Sequence, residues 1–263
     1  MVHPQTITMK TILITGAIGN VGRAVINSLR PHAKDVNIQA GLRGRPTEYQ
    51  KDGLERVEPV NFDFEKRESM EAALSDCDVL FLLRPPQLAD VKKYFQPLIQ
   101  IAVEKQLNYM VFLAVQGAES STLIPHHKIE KLILDSGLPY TFLRPAYFMQ
   151  NFTTTLRQDI VKHQRIYLPA GKAKFTLTDV EEVGKVAATI LVDPIPHASK
   201  SYALTNEEQL SFEEMTQIIR EETQLALTYK SPNLISFFFH KWRKGLSAGY
   251  IFVLIMLHYF PRF

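Results

Sequence analysis

The chain has 263 residues, 46% hydrophobic and 22% charged, which is enough for one sizeable core with a smaller appendage. Its net charge of +3 is too small to indicate direct nucleic-acid binding. The single cysteine, Cys77, excludes an intrachain disulfide and a cysteine metal cluster. No pair of histidines has metal-ligand spacing, so we expect no metal.

The first half of the chain alternates short apolar runs with helical patterns. The patterns predict strands at 11–15, 36–40, 56–62, 78–83, 108–115 and 140–144. They predict helices at 20–29, 69–74, 91–106 and 127–136, with Pro97 expected to kink or break the third. Regular alternation of this kind is typical of a doubly wound parallel sheet with helices on both faces.

The second half is less regular. Asp179 is placed to cap a helix that runs to Leu191, a strand is predicted at 202–205, and Ser211 opens a capping box. We therefore predict an α/β protein, with a doubly wound domain in residues 1–150 and a smaller region, 151–263, partly interleaved with it. The apolar segment 250–260 is shorter than the roughly 20 residues that cross a bilayer, which favours a buried or interface helix over membrane contact.

Three glycines, Gly16, Gly19 and Gly22, lie between the first predicted strand and the first predicted helix. In that position the first glycine permits a tight turn. The second lets the backbone approach a phosphate, and the third lets helix and strand pack closely. Free amides at the helix start then favour an anion. The alternative is a glycine-rich turn that binds nothing.

The spacing GxxGxxG resembles that of the atypical short-chain dehydrogenase/reductase superfamily. The stretch HHKIEKLILDSGLPYTFLRPAYFMQNF, from His126 to Phe152, resembles the signature of its NmrA-like branch. Together with LPAGKAKFTLTDVEEVGKVAATIL, this resemblance covers the chain to about Tyr229. It implies that residues 1–150 form an NAD(P)-binding Rossmann domain and that 151–263 form a smaller, substrate-covering region.

The resemblance also implies which residues meet the cofactor. The glycine loop contributes Gly16, Gly19 and Gly22 with Ala17, Ile18, Asn20 and Val21. Asp63 and Phe64 would lie beside the adenine, and Leu83 and Arg84 near the ribose. For Asp63, a helix cap is an equally good interpretation.

The second predicted strand is followed by Arg43 where an NAD-binding protein would have an acid. Arg45 and Lys51 add positive charge nearby. A guanidinium can bind a phosphate through two hydrogen bonds, so we expect NADP (NADPH) and consider NAD less favoured. A solvated basic loop is the alternative.

The Ser, Tyr and Lys of familiar short-chain enzymes are not all present. Ile124 stands four residues before Lys128 where the tyrosine would be, and the fifth strand ends without the serine. The remaining candidates for catalysis are Lys128, His126 and Tyr147. For each of them the alternative is an ordinary structural role, namely an exposed surface position, a helix cap or core packing. Lys128 could also hold a ribose hydroxyl of the cofactor.

These observations lead to two functional hypotheses. The first is an NADPH-dependent oxidoreductase that transfers hydride to a small quinone-like or aromatic acceptor, covered by the aromatic C-terminal part. The second, favoured by the missing Ser and Tyr, is a non-catalytic NAD(P) redox sensor that regulates a partner such as a transcription factor. The sequence leaves a homodimer open. The lone cysteine and the lack of a secretory signal suggest the cytoplasm.

Overall fold

The computed structural model describes residues 9–44, 57–122 and 124–259, which form two compact units. Unit 1 contains the described residues up to Arg144 together with Val180–Ala203. Unit 2 contains Pro145–Asp179 and the described residues from Leu204 onward. The chain therefore leaves unit 1, returns to it for one helix and one strand, and leaves it again.

Strands and helices alternate along most of the described chain. The strands are β1 (Lys10–Ile14), β2 (Val36–Leu42), β3 (Glu58–Asn61), β4 (Val79–Leu83), β5 (Tyr109–Leu113), β6 (Tyr140–Pro145), β7 (Tyr147–Phe148), β8 (Arg165–Tyr167), β9 (Lys174–Thr178), β10 (Lys200–Leu204), β11 (Gln209–Ser211) and β12 (Thr228–Lys230). The helices are α1 (Asn20–Leu29), α2 (Arg67–Leu74), α3 (Val91–Glu104), α4 (Pro125–Ser136), α5 (Arg157–His163), α6 (Val180–Val192), α7 (Phe212–Thr223), α8 (Leu234–Arg243) and α9 (Ala248–Tyr259).

Unit 1 is organised around a seven-stranded sheet in the order β10-β6-β5-β4-β1-β2-β3. The pairs β1–β2, β1–β4, β2–β3, β4–β5 and β5–β6 are parallel. The order of connection reverses between β1 and β4. In open α/β sheets, ligands bind beside such a reversal, outside the carboxyl ends of the strands. The predicted doubly wound α/β fold is confirmed.

The central strands are apolar on both faces, as expected for parallel strands covered by helices. β5 is buried along its whole length, and β4 is buried except for Leu83. On one side of the sheet α1 packs closely against α6. A methyl group on Gly184 of α6 would lie 2.6 Å from backbone atoms of Ala24, so only glycine allows this approach.

Unit 2 has its own small sheets and its own core. The strands pair in the orders β11-β9-β7 and β12-β8. The core includes Phe212, Phe237 and Ile251, all with no exposed surface. The Ser211 capping box is present, with Ser211 accepting from the Glu214 amide and Glu214 accepting from that of Ser211. In the described residues, no helix combines the length and apolarity required for a membrane span.

Several predicted boundaries and local roles need correction. Helix α3 continues through Pro97 without a break and ends at Glu104. Helix α4 begins at Pro125, two residues earlier than predicted, because proline suits the first turn, where its missing amide costs nothing. Asp63 is not a helix cap, since α2 begins at Arg67 after Lys66. Instead its Oδ1 accepts the amide of Glu65 at 3.0 Å and closes a short turn.

Candidate functional site

The glycine loop joins β1 to α1 beside the point where the strand order reverses. Gly16 has φ +62°, in the left-handed region, so a side chain there would strain the backbone. A methyl group on Gly16 would also lie 3.0 Å from Cδ2 of Leu83, at the end of β4. The Gly19 amide donates to the Gly16 carbonyl at 3.0 Å, which makes the turn tight.

Gly22 is the most sterically constrained of the three glycines. A methyl group at Gly22 would lie 2.3 Å from the carbonyl oxygen of Gly16 and 2.8 Å from Cα of Ala17. Both distances are well below ordinary contact of about 3.5 Å or more. The first turn of α1 can therefore lie directly against the loop only because this position is glycine.

The amino end of α1 is open to an anion. Gly19 is its N-cap, no side chain caps the helix, and its first turn contains no acid. Ile18, Gly19 and Asn20 are exposed, whereas Ala17, Val21 and Gly22 are buried beneath them. Helix-start amides that face solvent without a side-chain acceptor suit a phosphate group.

Thr15, which the sequence analysis did not single out, ties the loop to the next strand. Its side chain is fully buried, and its Oγ1 accepts the amide of Leu83 at 2.8 Å. The same hydroxyl donates to the carbonyl of Phe81 at 3.1 Å. The carboxyl ends of β1 and β4 are thereby held together, with Gly16 and Leu83 in contact above them. The sequence feature that could have indicated Thr15 is a polar residue at the end of an apolar run.

Arg43 follows β2 directly and is exposed. It stands at the carboxyl edge of the strand next to β1, where a ribose-binding residue is expected in this fold. Arg45 and Lys51, the two other predicted cations, lie outside the described residues.

Asp63 and Phe64 follow β3 and are both buried. Ser69 Oγ accepts the Asp63 amide at 3.0 Å. The ring of Phe64 packs edge-on against Phe62, with ring centres 5.0 Å apart. Internal contacts therefore hold both residues, and their expected place beside an adenine stays a prediction.

Arg84 and His126 meet at the end of β4. Arg84 is only 7% exposed, and its Nε donates to Nε2 of His126 across 3.4 Å. Burial lowers the pKa of Arg84 to about 10. Burial, reinforced by the Arg84 charge, lowers the pKa of His126 to about 3. His126 is therefore neutral at physiological pH and is not a ready proton donor.

The rest of the motif around α4 has mainly structural contacts. Glu130 is buried and forms two parallel hydrogen bonds with Arg144, at 3.0 and 2.8 Å. His127 Nδ1 contacts the carbonyl oxygen of Ala118 at 2.8 Å. Lys128 is exposed and makes no hydrogen bond or ion pair with another described residue, so its amine is available to a ligand.

Tyr147 lies in unit 2, within a group of aromatic rings. Its ring is edge-on to Phe212, with centres 5.5 Å apart, and its hydroxyl lies 3.3 Å from Nε2 of His258. His258 Nδ1 pairs with the Leu254 carbonyl, so Nε2 is the nitrogen that accepts from the hydroxyl. Burial raises the pKa of Tyr147 well above its usual value. Its hydroxyl is thus engaged inside the unit.

The geometry fits a dinucleotide better than a metal ion. Within the described ranges, no group of three or more potential ligand side chains is placed to hold a metal. In contrast, unit 1 provides a glycine cradle and an uncapped helix start after β1, and an exposed arginine after β2, at the carboxyl ends where a nucleotide would lie.

Known proteins resemble this chain in sequence and in fold. The prestalk A differentiation protein A of Dictyostelium discoideum is 28% identical over 214 residues, covering 81% of this chain and 70% of that protein. The NADPH-dependent quinone oxidoreductase of Escherichia coli, solved with NADPH, superposes with a TM-score of 0.80 at 21% identity, covering 95% of this chain and 88% of that one. The triphenylmethane reductase of Citrobacter sp., solved with NADP(H), gives 0.79 at 21% identity, covering 94% and 88%.

At these identities the structural matches establish the fold alone. The family assignment has separate support, because a sequence model described as the NmrA-like family matches residues 8–239, which is most of the chain. The matched range includes the glycine loop, Arg84, the α4 motif and most of unit 2. The chain is therefore a member of the NmrA-like family.

Proposed function

We propose that the protein is an NADPH-dependent oxidoreductase that reduces a small quinone-like or aromatic acceptor. The observation that carries this proposal is the glycine loop, where Gly16 and Gly22 let the backbone lie directly against α1, whose start has no side-chain cap. Relatives of the same fold that bind NADPH and reduce quinones or triphenylmethane dyes support the choice of reaction.

Each site residue has a part in this proposal. The amides of Ile18, Asn20, Val21 and Gly22 bind the pyrophosphate, and Arg43 binds the 2′-phosphate that distinguishes NADPH from NADH. Leu83 packs beside the loop, and Lys128 holds a ribose hydroxyl. When bound, the dihydronicotinamide supplies the hydride for the reduction. The chain then has to orient the two reactants and keep water away.

The reaction does not require a strong acid in the protein. Reduction of a quinone first yields a stabilised anion, which can take its proton from solvent. A reaction without a protein acid is consistent with a neutral His126 and with the hydrogen-bonded hydroxyl of Tyr147. Tyr147→Phe should therefore change kcat by less than about 3-fold, whereas loss of a general acid would cost about 100-fold or more.

The proposal is tested by following NADPH absorbance with a panel of quinones and triphenylmethane dyes. Steady oxidation that depends on both enzyme and acceptor supports it. Calorimetry on the same preparation shows whether NADPH binds. Tight NADPH binding without turnover of any acceptor would reject the reductase.

That last outcome would favour the second candidate, a redox sensor. Its support is that two of the three residues expected to donate protons are occupied in packing and hydrogen bonds. A sensor must bind the two oxidation states with different affinity to shift a partner equilibrium. Equal dissociation constants for NADP and NADPH, or equal capture of partner proteins with either, would reject it.

A further inference from the structure

Arg84 is a buried cation that no described carboxylate neutralises. It is 7% exposed, and none of the ion pairs in the described chain involves it. Arg144 in the same unit shows the usual solution, with Glu130 bound to it through two hydrogen bonds. A buried charge is costly unless it is paired, so an unpaired one calls for an explanation.

The guanidinium group is held at Nη1 and Nε but not at Nη2. Nη1 donates to the carbonyl oxygens of Pro85, Pro86 and Leu88 at 3.1 to 3.2 Å. Nε donates to His126, as described above. Nη2 has no hydrogen bond with any described residue and is not among the fully shielded polar atoms that lack a partner. Nη2 therefore keeps two free donors with access to the surroundings.

His126 fixes the orientation of the guanidinium group and thus of its free edge, the Nη2 donors. Its Nε2 faces the Arg84 Nε–H and must accept, so the proton of the neutral ring lies on Nδ1. Nδ1 is buried and has no partner among the described residues. The ring is thus held with its acceptor toward Arg84 even though its own donor is left unused. In a planar guanidinium, Nη2 presents a donor parallel to Nε–H.

Arg84 lies at the edge of the sheet where this fold binds ligands. Arg84 directly follows Leu83, which contacts Gly16 of the glycine loop and bonds to Thr15. This is the carboxyl end of β4, beside the reversal of strand order. Because Arg84 has unused donors at this end of the strand, it favours binding of a ligand that carries a negatively charged oxygen.

We infer that Arg84 binds the oxygen on which negative charge develops in the acceptor, and that His126 positions its guanidinium group. This inference rests on the proposed reductase function. Transfer of a hydride from the dihydronicotinamide to a quinone leaves the oxidised cofactor and a hydroquinone monoanion, which solvent then protonates. Transfer to the central carbon of a cationic triphenylmethane dye gives a neutral product and creates no oxyanion. Arg84 therefore assists the first acceptor and not the second.

The test compares both acceptors in one variant. Arg84→Gln should lower kcat/KM for a naphthoquinone by about 10-fold or more, because it removes a donor to developing charge. With malachite green as the cationic dye, kcat/KM should stay within about 3-fold or rise, since a like charge is removed. Lys131→Gln, which removes an exposed lysine of α4, is the matched control and should change neither. Equal losses with both acceptors would overturn the inference.

Binding measurements separate the acceptor from the cofactor. The NADPH dissociation constant of Arg84→Gln should stay within about 2-fold of wild type, because the inferred contact is to the acceptor. A loss of NADPH affinity that accounts for the whole defect would assign Arg84 to the cofactor instead. Should Arg84→Gln fail to fold, Arg84→Lys keeps the charge and should show the same acceptor dependence with a smaller amplitude.

A second test measures binding without turnover. Its probe is 4-nitrophenolate, a planar aromatic oxyanion whose absorbance reports binding. Arg84→Gln should weaken its binding about 10-fold. His126→Phe should also weaken it, and His126→Gln, whose amide oxygen can accept from Nε, should restore most of the affinity. Unchanged affinity in Arg84→Gln would overturn the inference. A wild type that binds 4-nitrophenolate through Arg84 but reduces neither acceptor would refute the proposed reaction alone.

Discussion

Gly22→Ala tests whether the close approach of α1 to the glycine loop creates the cofactor site. The new methyl group would lie 2.3 Å from the Gly16 carbonyl oxygen, more than 1 Å inside ordinary contact. The obstacle is backbone, so the first turn of α1 or the loop itself has to move. Overpacking of this kind costs about 1–3 kcal/mol of stability. A loop displaced by about 1 Å also loses at least one hydrogen bond from a backbone amide to the phosphates, which is worth about 1.5–3 kcal/mol.

The expected result is a 10- to 100-fold rise in the NADPH dissociation constant, since about 1.4 kcal/mol corresponds to a factor of ten. Calorimetric titration at a temperature where the variant remains folded measures it, with circular dichroism as the check on folding. Gly249→Ala is the matched control, because nothing lies within 4 Å of a methyl group there. A folded Gly22→Ala protein with wild-type NADPH affinity would refute the steric reasoning.

Three further predictions concern other parts of the chain. Arg43→Ala should weaken NADPH about 10-fold and leave NADH within about 2-fold in a fluorescence titration; equal losses would contradict the 2′-phosphate assignment. Glu130→Gln should cost about 3 kcal/mol in urea unfolding, because it leaves Arg144 with only the more distant Glu119 at 3.4 Å; a cost below about 1 kcal/mol would show that the pair is dispensable. Burial lowers the pKa of His258 from 6.5 to about 4, so the unfolded chain takes up the proton first and stability should fall as pH drops from about 6.5 to 4. His258→Phe should remove up to about 1.4 kcal/mol per pH unit from that slope, and an unchanged slope would contradict the assignment.

The parts of the fold that were predictable from sequence depend on local patterns. β1 and α1 flank the glycines within a single stretch of chain, and the apolar runs of β4 and β5 are long enough to be recognised. Gly137 ends α4 with φ +74°, the left-handed conformation that a glycine just after a helix commonly adopts. The family motif around α4 was recognisable for the same reason, since its residues are close in sequence.

The contacts that organise the site join residues far apart in the chain. Thr15 meets Leu83 across 68 positions, and Arg84 meets His126 across 42. No periodicity or spacing indicates which buried polar residues will pair in this way. The same limit explains Asp63, whose type suits a helix cap and a turn equally, so only the positions of Glu65 and Arg67 decide between them.

The central claim is that the amides at the start of α1 bind the pyrophosphate of NADPH. The most direct measurement follows the backbone amide resonances of Ile18, Asn20, Val21 and Gly22 in a ¹⁵N-labelled protein during NADPH titration. The claim predicts that these amides shift together, with one dissociation constant that matches calorimetry, and that α9 amides such as Gly249 stay in place. NADPH binding that leaves the four loop amides unshifted would contradict it.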